Sequence, residues 1–213
     1  LYGLTTGDSC RAIGLKALSA NQQNFGSKFP RCLLQLPLLE TLLLSSNRLT
    51  GRMSDDWAIG PNLKQLDLSH NRLSGPLPST IQNHSFSLLD LSHNKLSGNL
   101  DDALFSTAAV FQAERAKHNE HNEVTTTTTP PPELYLSSNR LSGDIPGSVM
   151  NMEDLSILAG NLFQCNYGKS DLPEHDTSVE TYECASNSFN VAMYIWLGLV
   201  LLMPLAVIVW FYY

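Results

Sequence analysis

Leucine recurs along this chain in a fixed frame. The stretch "LDLSHNRLSGPLP" at positions 66 to 78 returns as "LDLSHNKLSGNL" at 89 to 100, and "LLLSSNRLTG" from Leu42 and "LYLSSNRLSG" from Leu134 share the same skeleton. All four copies carry Leu, Leu, Asn, Leu and Gly at offsets 0, 2, 5, 7 and 9. Weaker copies begin at Leu18 ("LSANQQNFGSKFP") and Phe111 ("FQAERA"), giving starts at 18, 42, 66, 89, 111 and 134, and a blurred seventh, "LSILAGNLFQC", begins near 155. A helical repeat would set its leucines three and four apart, whereas two apart is the period of a strand. Each unit is therefore expected to be one short strand with a return path. One such turn cannot bury its own leucines, so the turns must stack into a solenoid, with about six strands side by side.

The polar members of the frame have physical roles in such a stack. Asn at offset 5 ends the strand, and an inward amide can serve backbone groups of adjacent turns that would otherwise be buried unpaired, which costs about 1–3 kcal/mol each. This predicts a structural ladder of Asn47, Asn71, Asn94 and Asn139. Gly at offset 9 suits a turn with unusual backbone angles, and Pro at offset 12 fixes the start of the return path.

The full frame, Leu-x-Leu-x-x-Asn-x-Leu-x-Gly-x-Ile-Pro, with its endings at Gly75 to Pro78 and Gly143 to Pro146, resembles the leucine-rich repeat. The ending is similar to the extracellular type of plant receptor-like proteins and receptor kinases. The resemblance covers roughly residues 15 to 165. It implies an α/β-type right-handed superhelix with a parallel sheet on its concave face, occupying residues 1–163. It also implies a paired-cysteine cap: Cys165 follows the last repeat in "GNLFQC" and Cys184 closes the segment 164–190 before the chain turns apolar. A loop of that length, cross-linked, adds about 3 kcal/mol.

Residues 191–213 contain no charge. A helix over this stretch would be about 34 Å long and would cross a hydrocarbon core of about 30 Å, so a single transmembrane helix is expected there. Tyr194 and Trp196 at one end and Trp210 to Tyr213 at the other resemble interfacial aromatic belts. The chain opens without a Met or a signal core and stops without a basic stop-transfer cluster, which reads as a fragment of a longer protein.

Four cysteines in two local pairs suit an oxidising compartment, and they set the repeats outside the cytosol. Cys10 and Cys32 stand nearly one period apart; they either bridge adjacent turns or remain two buried thiols. Asn83-His84-Ser85 is a glycosylation sequon on an expected return segment. The expected location is the plasma membrane or an endomembrane, as a single-pass type I protein with extracellular or lumenal repeats.

Composition changes this picture little: the 213 residues are 43% hydrophobic and 15% charged, with a formal net charge of −7 that disfavours nucleic acid as a partner. No phosphate loop, nucleophile elbow or nucleotide fingerprint occurs, so no enzymatic activity and no cofactor is expected. Stacked His70 and His93 are read as members of the recurring "LSHN" segment and not as metal ligands. The copy at 111 loses its Asn, Leu and Gly to "AKHNEHNEVTTTTTPPPE", whose Thr/Pro tract at 125–132 is expected to be a degenerate turn that keeps the period, the alternative being an interaction or modification segment.

Binding remains. Outward positions that break the repetition, or that stack polar groups across turns, are the candidates for specificity: Gln65, Asp67, His70, Asp90, His93, Gln112, Glu114, Arg115 and Tyr135. The expected role is a membrane-anchored recognition module that takes a protein, peptide or glycan ligand, with a co-receptor as a further partner. The rival is a structural or adhesion protein, or a non-catalytic subunit of a membrane complex.

Overall fold

The computed structural model describes residues 5–6, 9–10, 14–102, 104, 131–166, 168–185, 194–203 and 212. A small antiparallel hairpin, β1 (Thr5–Thr6) with β2 (Ser9–Cys10), precedes the repeats. Eleven further strands follow: β3 (Ala17–Ser19), β4 (Thr41–Leu43), β5 (Thr50–Arg52), β6 (Gln65–Asp67), β7 (Arg72–Gly75), β8 (Leu88–Asp90), β9 (Lys95–Asn99), β10 (Glu133–Tyr135), β11 (Arg140–Gly143), β12 (Asp154–Ser156) and β13 (Leu162–Phe163). They form two parallel sheets, one of six strands in the order β12-β10-β8-β6-β4-β3 and one of five in the order β13-β11-β9-β7-β5.

The expected stack is present, and its register follows the leucines. Leu18, Leu42, Leu66, Leu89, Leu134 and Leu155 lie opposite one another along the six-stranded sheet. In the four full copies the leucines at offsets 0, 2 and 7 are completely buried, as at Leu66, Leu68 and Leu73. Each such side chain contributes about 1.5–3 kcal/mol by leaving water. Prolines set the return paths: the helix Ser79–Gln82 and the 3-10 turns Arg31–Gln35 and Gly147–Val149 start directly after Pro78, Pro30 and Pro146. Their fixed φ leads the chain into helical backbone.

Two expectations need correction. A strand beginning at 111 was expected between those at 89 and 134, but β8 pairs directly with β10, Leu89 opposite Leu134. Asn139 confirms the direct stacking by donating to Leu91 O at 3.0 Å. The equal spacing of 22 and 23 residues was thus a coincidence of length: without the Asn, Leu and Gly of the frame, that stretch has no ladder position to occupy between two turns that have them. Residues 105–130, which hold Gln112, Glu114, Arg115 and most of the Thr/Pro tract, lie outside the described residues.

The second correction concerns the glycines at offset 9. Gly51, Gly75, Gly98 and Gly143 do not sit in turns but within strands of the five-stranded sheet, at φ between +85° and +145°. At Gly75 a Cβ would stand 2.8 Å from Met53 O, so the missing side chain is what lets that strand approach its neighbour.

The far end of the stack is closed. Cys165 and Cys184 are disulfide-bonded, with Cα atoms 5.7 Å apart, and Cys10 is bonded to Cys32. Asp176 is 1% exposed and accepts hydrogen bonds from Ile157 N at 2.7 Å and Leu158 N at 2.9 Å, just after β12. Tyr182 Oη accepts from Phe163 N at 2.6 Å, on β13. Residues 194–203 are helical and mostly exposed; apart from Tyr212, the rest of the expected 191–213 span lies outside the described residues. Among the described residues no helix is long and apolar enough to cross a membrane.

Candidate functional site

Alternation along each three-residue strand of the six-stranded sheet decides which side chains are presented. The central Leu66, Leu89 and Leu134 point into the core, so the flanking Gln65 and Asp67, Leu88 and Asp90, and Glu133 and Tyr135 face outward in two columns. Register places Gln65 beside Leu88, which in turn lies beside Glu133; Asp67 lies beside Asp90, and Asp90 beside Tyr135. The structure thus brings Gln65, Asp67, Asp90 and Tyr135 onto one face over three adjacent strands. Thr41 Oγ1 donates to Gln65 Oε1 at 3.1 Å and holds that amide across the strands.

The strand ends are shaped by a requirement that leucine spacing does not reveal. Position 4 of each turn has left-handed backbone: Gln22, Ser46, His70, His93 and Ser138 have φ between +51° and +57°. The backbone still bridges turns there, His70 N donating to Ser92 O and His93 N to Ser137 O. This twist turns the position 4 side chain outward, exposed at Gln22, His70 and His93, while in the four full copies it turns Asn47, Asn71, Asn94 and Asn139 inward. His70 and His93 consequently stack face to face at 4.0 Å, 11° from parallel, at the border of the outward columns.

Behind them runs the predicted ladder. Asn71 Oδ1 accepts from Leu49 N at 2.9 Å, and its Nδ2 donates to Leu44 O and Leu68 O at 3.0 and 3.1 Å. Asn47 and Asn139 repeat this between their own turns, and Asn94 does so half-buried. Asn161 extends the ladder to the blurred copy, with Leu141 N donating to its Oδ1 at 2.9 Å. The extra residue there is Gly160, at φ +70°, whose Cβ position would be 2.9 Å from Ser138 Cα.

Asp67 and Asp90 have a local duty as well as an outward one. Oδ1 of each accepts the backbone N–H and the hydroxyl of the serine two residues on, at 2.9 and 2.7 Å. Burial raises the Asp90 pKa from its ordinary value, the bonds from Ser92 counteract this, and the Asp67 carboxylate adds to it. Burial lowers the His93 pKa, helped by His70 and opposed by Asp90. Burial also raises the Tyr135 pKa, as do Glu133, to which its hydroxyl donates at 3.2 Å, and the nearby Asp154 and Asp90. The face is therefore an open stripe of acceptors, with a phenol and two imidazoles along it, suited to hydrogen-bond donors and cations of a partner. Glu133 and Asp154 were not among the sequence candidates; the pairing of β10 with β8 and with β12 brings them beside Asp90 and Tyr135.

Comparison with known proteins agrees with this geometry. The family model described as Leucine Rich Repeat matches residues 62–84, 85–106 and 133–152. Receptor-like protein 34 of Arabidopsis thaliana is 27% identical over 68% of this chain, which spans 15% of that relative. A plant ice-binding protein of known crystal structure is 28% identical, with a TM-score of 0.55 over 78% of this chain and 47% of its own. The plant peptide hormone receptor RGFR1, solved in complex with RGF2, is 26% identical, with a TM-score of 0.52 over 71% of this chain and 21% of its own. The architecture is that of a leucine-rich-repeat solenoid with parallel sheets.

Proposed function

We propose that this chain is part of a receptor-like recognition module that is non-catalytic and binds a peptide or protein on the outward face of its six-stranded sheet, taken as the concave side of the solenoid. The observation that carries the reading is the contrast within each turn. Inward positions are uniform leucine, whereas the outward columns run Gln65, Leu88, Glu133 and Asp67, Asp90, Tyr135, so that only Asp67 and Asp90 are alike on an otherwise constant frame. Likeness to Receptor-like protein 34 and to a peptide hormone receptor supports the same direction. Two disulfides favour an oxidising, extracellular or lumenal setting. On this reading residues 191–213 form a single membrane span with the C-terminal end inside, and Asn83, exposed just after the helix Ser79–Gln82, carries a glycan.

The test is selection of binders to the folded chain from a displayed peptide library, followed by affinity measurements on the parent and on Gln65→Ala, Asp67→Ala and Tyr135→Ala combined. Loss of affinity by about tenfold or more is expected for a peptide seated across these strands. Equal affinity of parent and variant for every selected peptide would refute the assignment of the face.

A further inference from the structure

The row of position 4 side chains changes character once along the stack. It runs Gln22, Ser46, His70, His93, Ser138 and Gly160. Ser138 N donates to Ala159 O just as His70 N donates to Ser92 O, so Gly160, at φ +70°, takes the place of position 4 in the blurred copy. Parallel strands lie about 4.8 Å apart, and the imidazole pair, stacked at 4.0 Å, shows that this spacing brings planar groups on neighbouring turns into contact. Past His93 the row drops to a hydroxymethyl group and then to no side chain. The ring face of His93 that looks away from His70 therefore borders a slot one turn wide. Ser138 is its floor, with Gly160 packed directly against Ser138, and among the described residues no position 4 side chain fills it.

Charge around the slot has one sign. Asp90, on the same turn as His93, uses Oδ1 to accept from Ser92 N and Ser92 Oγ, and among the described residues its Oδ2 accepts no hydrogen bond. Tyr135 lies beside Asp90 in register, on the turn of Ser138, and its hydroxyl is turned to Glu133. The charged groups that move the His93 pKa are His70 and Asp90, and no Lys or Arg is among them. On the opposite side of the imidazole pair, the turn of Ser46 carries Leu43 in the place of Tyr135, so only the Ser138 side joins a free ring face to polar neighbours.

We infer that this slot seats an arginine side chain of the partner, its guanidinium laid flat on His93 above Ser138 with an N–H donating to Asp90 Oδ2. The inference rests on the reading of the six-stranded sheet as the binding face and names a side chain which that face selects. Among side chains the guanidinium alone is planar and always charged. Lysine would bring the charge without a plane to stack, and a phenyl, phenol or indole ring would bring the plane and leave the carboxylate oxygen unpaired. Burial and His70 favour the neutral form of the His93 ring, which is the form that accepts a cation on its face.

The test is titration of the full chain with N-acetyl-L-arginine amide, read from the Cε1–H resonances of His70 and His93. A saturable shift at His93 is expected, with N-acetyl-L-lysine amide and N-acetyl-L-phenylalanine amide weaker by about fivefold or more. S138Q places in the slot a side chain that Gln22 shows to be compatible with this backbone, and it is expected to weaken the arginine amide by about fivefold or more; S46Q, on the opposite side of the pair, is expected to match the parent. No saturable shift, equal binding of the three amides, or unchanged arginine binding in S138Q would each overturn the inference. Selected peptides that lose affinity in the Gln65, Asp67 and Tyr135 triple alanine variant but contain no arginine and bind S138Q as tightly as the parent would overturn the slot and leave the face standing. Arginine binding that S138Q abolishes, with peptides that ignore the triple variant, would keep the slot and overturn the wider face.

Discussion

The two parallel sheets are built from the same repeats and present opposite surfaces. Outward positions of the six-stranded sheet include four acids, Asp67, Asp90, Glu133 and Asp154, and apart from the paired Asp67 and Asp90 they differ from turn to turn. The five-stranded sheet carries a recurring cation beside a hydroxyl and has glycine at positive φ in each of four strands. The first varies because its side chains project from a backbone already secured by the Asn ladder, so identity there is free to follow a partner. The second recurs because its glycines hold positive φ at every turn, with a close approach to Met53 O added at Gly75, and its polar positions follow the same slip.

The largest way to break this contrast is at the ladder. Asn71→Ala strands Leu49 N in the core and removes one of two donors from Leu44 O and from Leu68 O, which keep Asn47 and Asn94; it is expected to cost about 4 kcal/mol in urea denaturation, about 1–3 kcal/mol for the unsatisfied N–H and about 0.5–1.5 kcal/mol for each further lost bond. The adjacent His70→Ala, on an exposed imidazole, is expected to cost under about 1 kcal/mol. Equal losses would mean that the outward face is as constrained as the core.

Next is the five-stranded sheet itself. Gly75→Ala meets both φ +91° and Met53 O at 2.8 Å, for a cost of about 3 kcal/mol. Gly98→Ala has the same φ but its nearest atom, Pro76 Cβ, is 3.5 Å away, so about 1–2 kcal/mol is expected. A reversal of this order in thermal melts would show that backbone angle, not close approach, governs the glycines.

Each sheet also has its own closure at the disulfide end. Asp176→Ala frees Ile157 N and Leu158 N beside β12 and is expected to cost about 2–3 kcal/mol. Tyr182→Phe removes one hydroxyl from β13 and is expected to cost about 1 kcal/mol. Equal denaturation midpoints for these two variants would show that the sheets are not closed separately.

These closures mark where the sequence ran out. The six-stranded sheet was legible because its leucines recur two apart, and the ladder was legible because Asn recurs with them. Asp176 and Tyr182 occur once each, within "HDTSVETYEC", and no period points to them. The five-stranded sheet was missed because Gly at offset 9 suggests a turn as readily as a strand in close contact. The false strand at 111 arose from length alone, since the frame residues were absent. Of the nine outward candidates, Gln65, Asp67, His70, Asp90 and His93 gather on adjacent turns as counting the repeat foretells, whereas Tyr135 joins them only because β10 pairs directly with β8.

The smallest expected effect is electrostatic. With the His93 pKa lowered by burial and by His70, the folded state favours the neutral ring, so stability falls as pH drops through about 6.5 toward the lower folded value. His93→Gln, a side chain that Gln22 shows to be compatible with this backbone, is expected to reduce the loss of melting temperature between about pH 7.5 and pH 5.5. An unchanged or steeper loss would place the proton uptake elsewhere.

The central claim, that outward side chains of the six-stranded sheet recognise a partner while the Asn ladder behind them holds the fold, is tested most directly by measuring affinity and stability on the same two variants. A selected peptide is titrated into the Gln65→Ala, Tyr135→Ala double variant and into Asn71→Ala, and both are melted. The account predicts that the first loses the peptide by about tenfold and melts like the parent, while the second, where folded, keeps the peptide and melts lower. Loss of stability without loss of affinity in the first, or unchanged melting of the second, would contradict it.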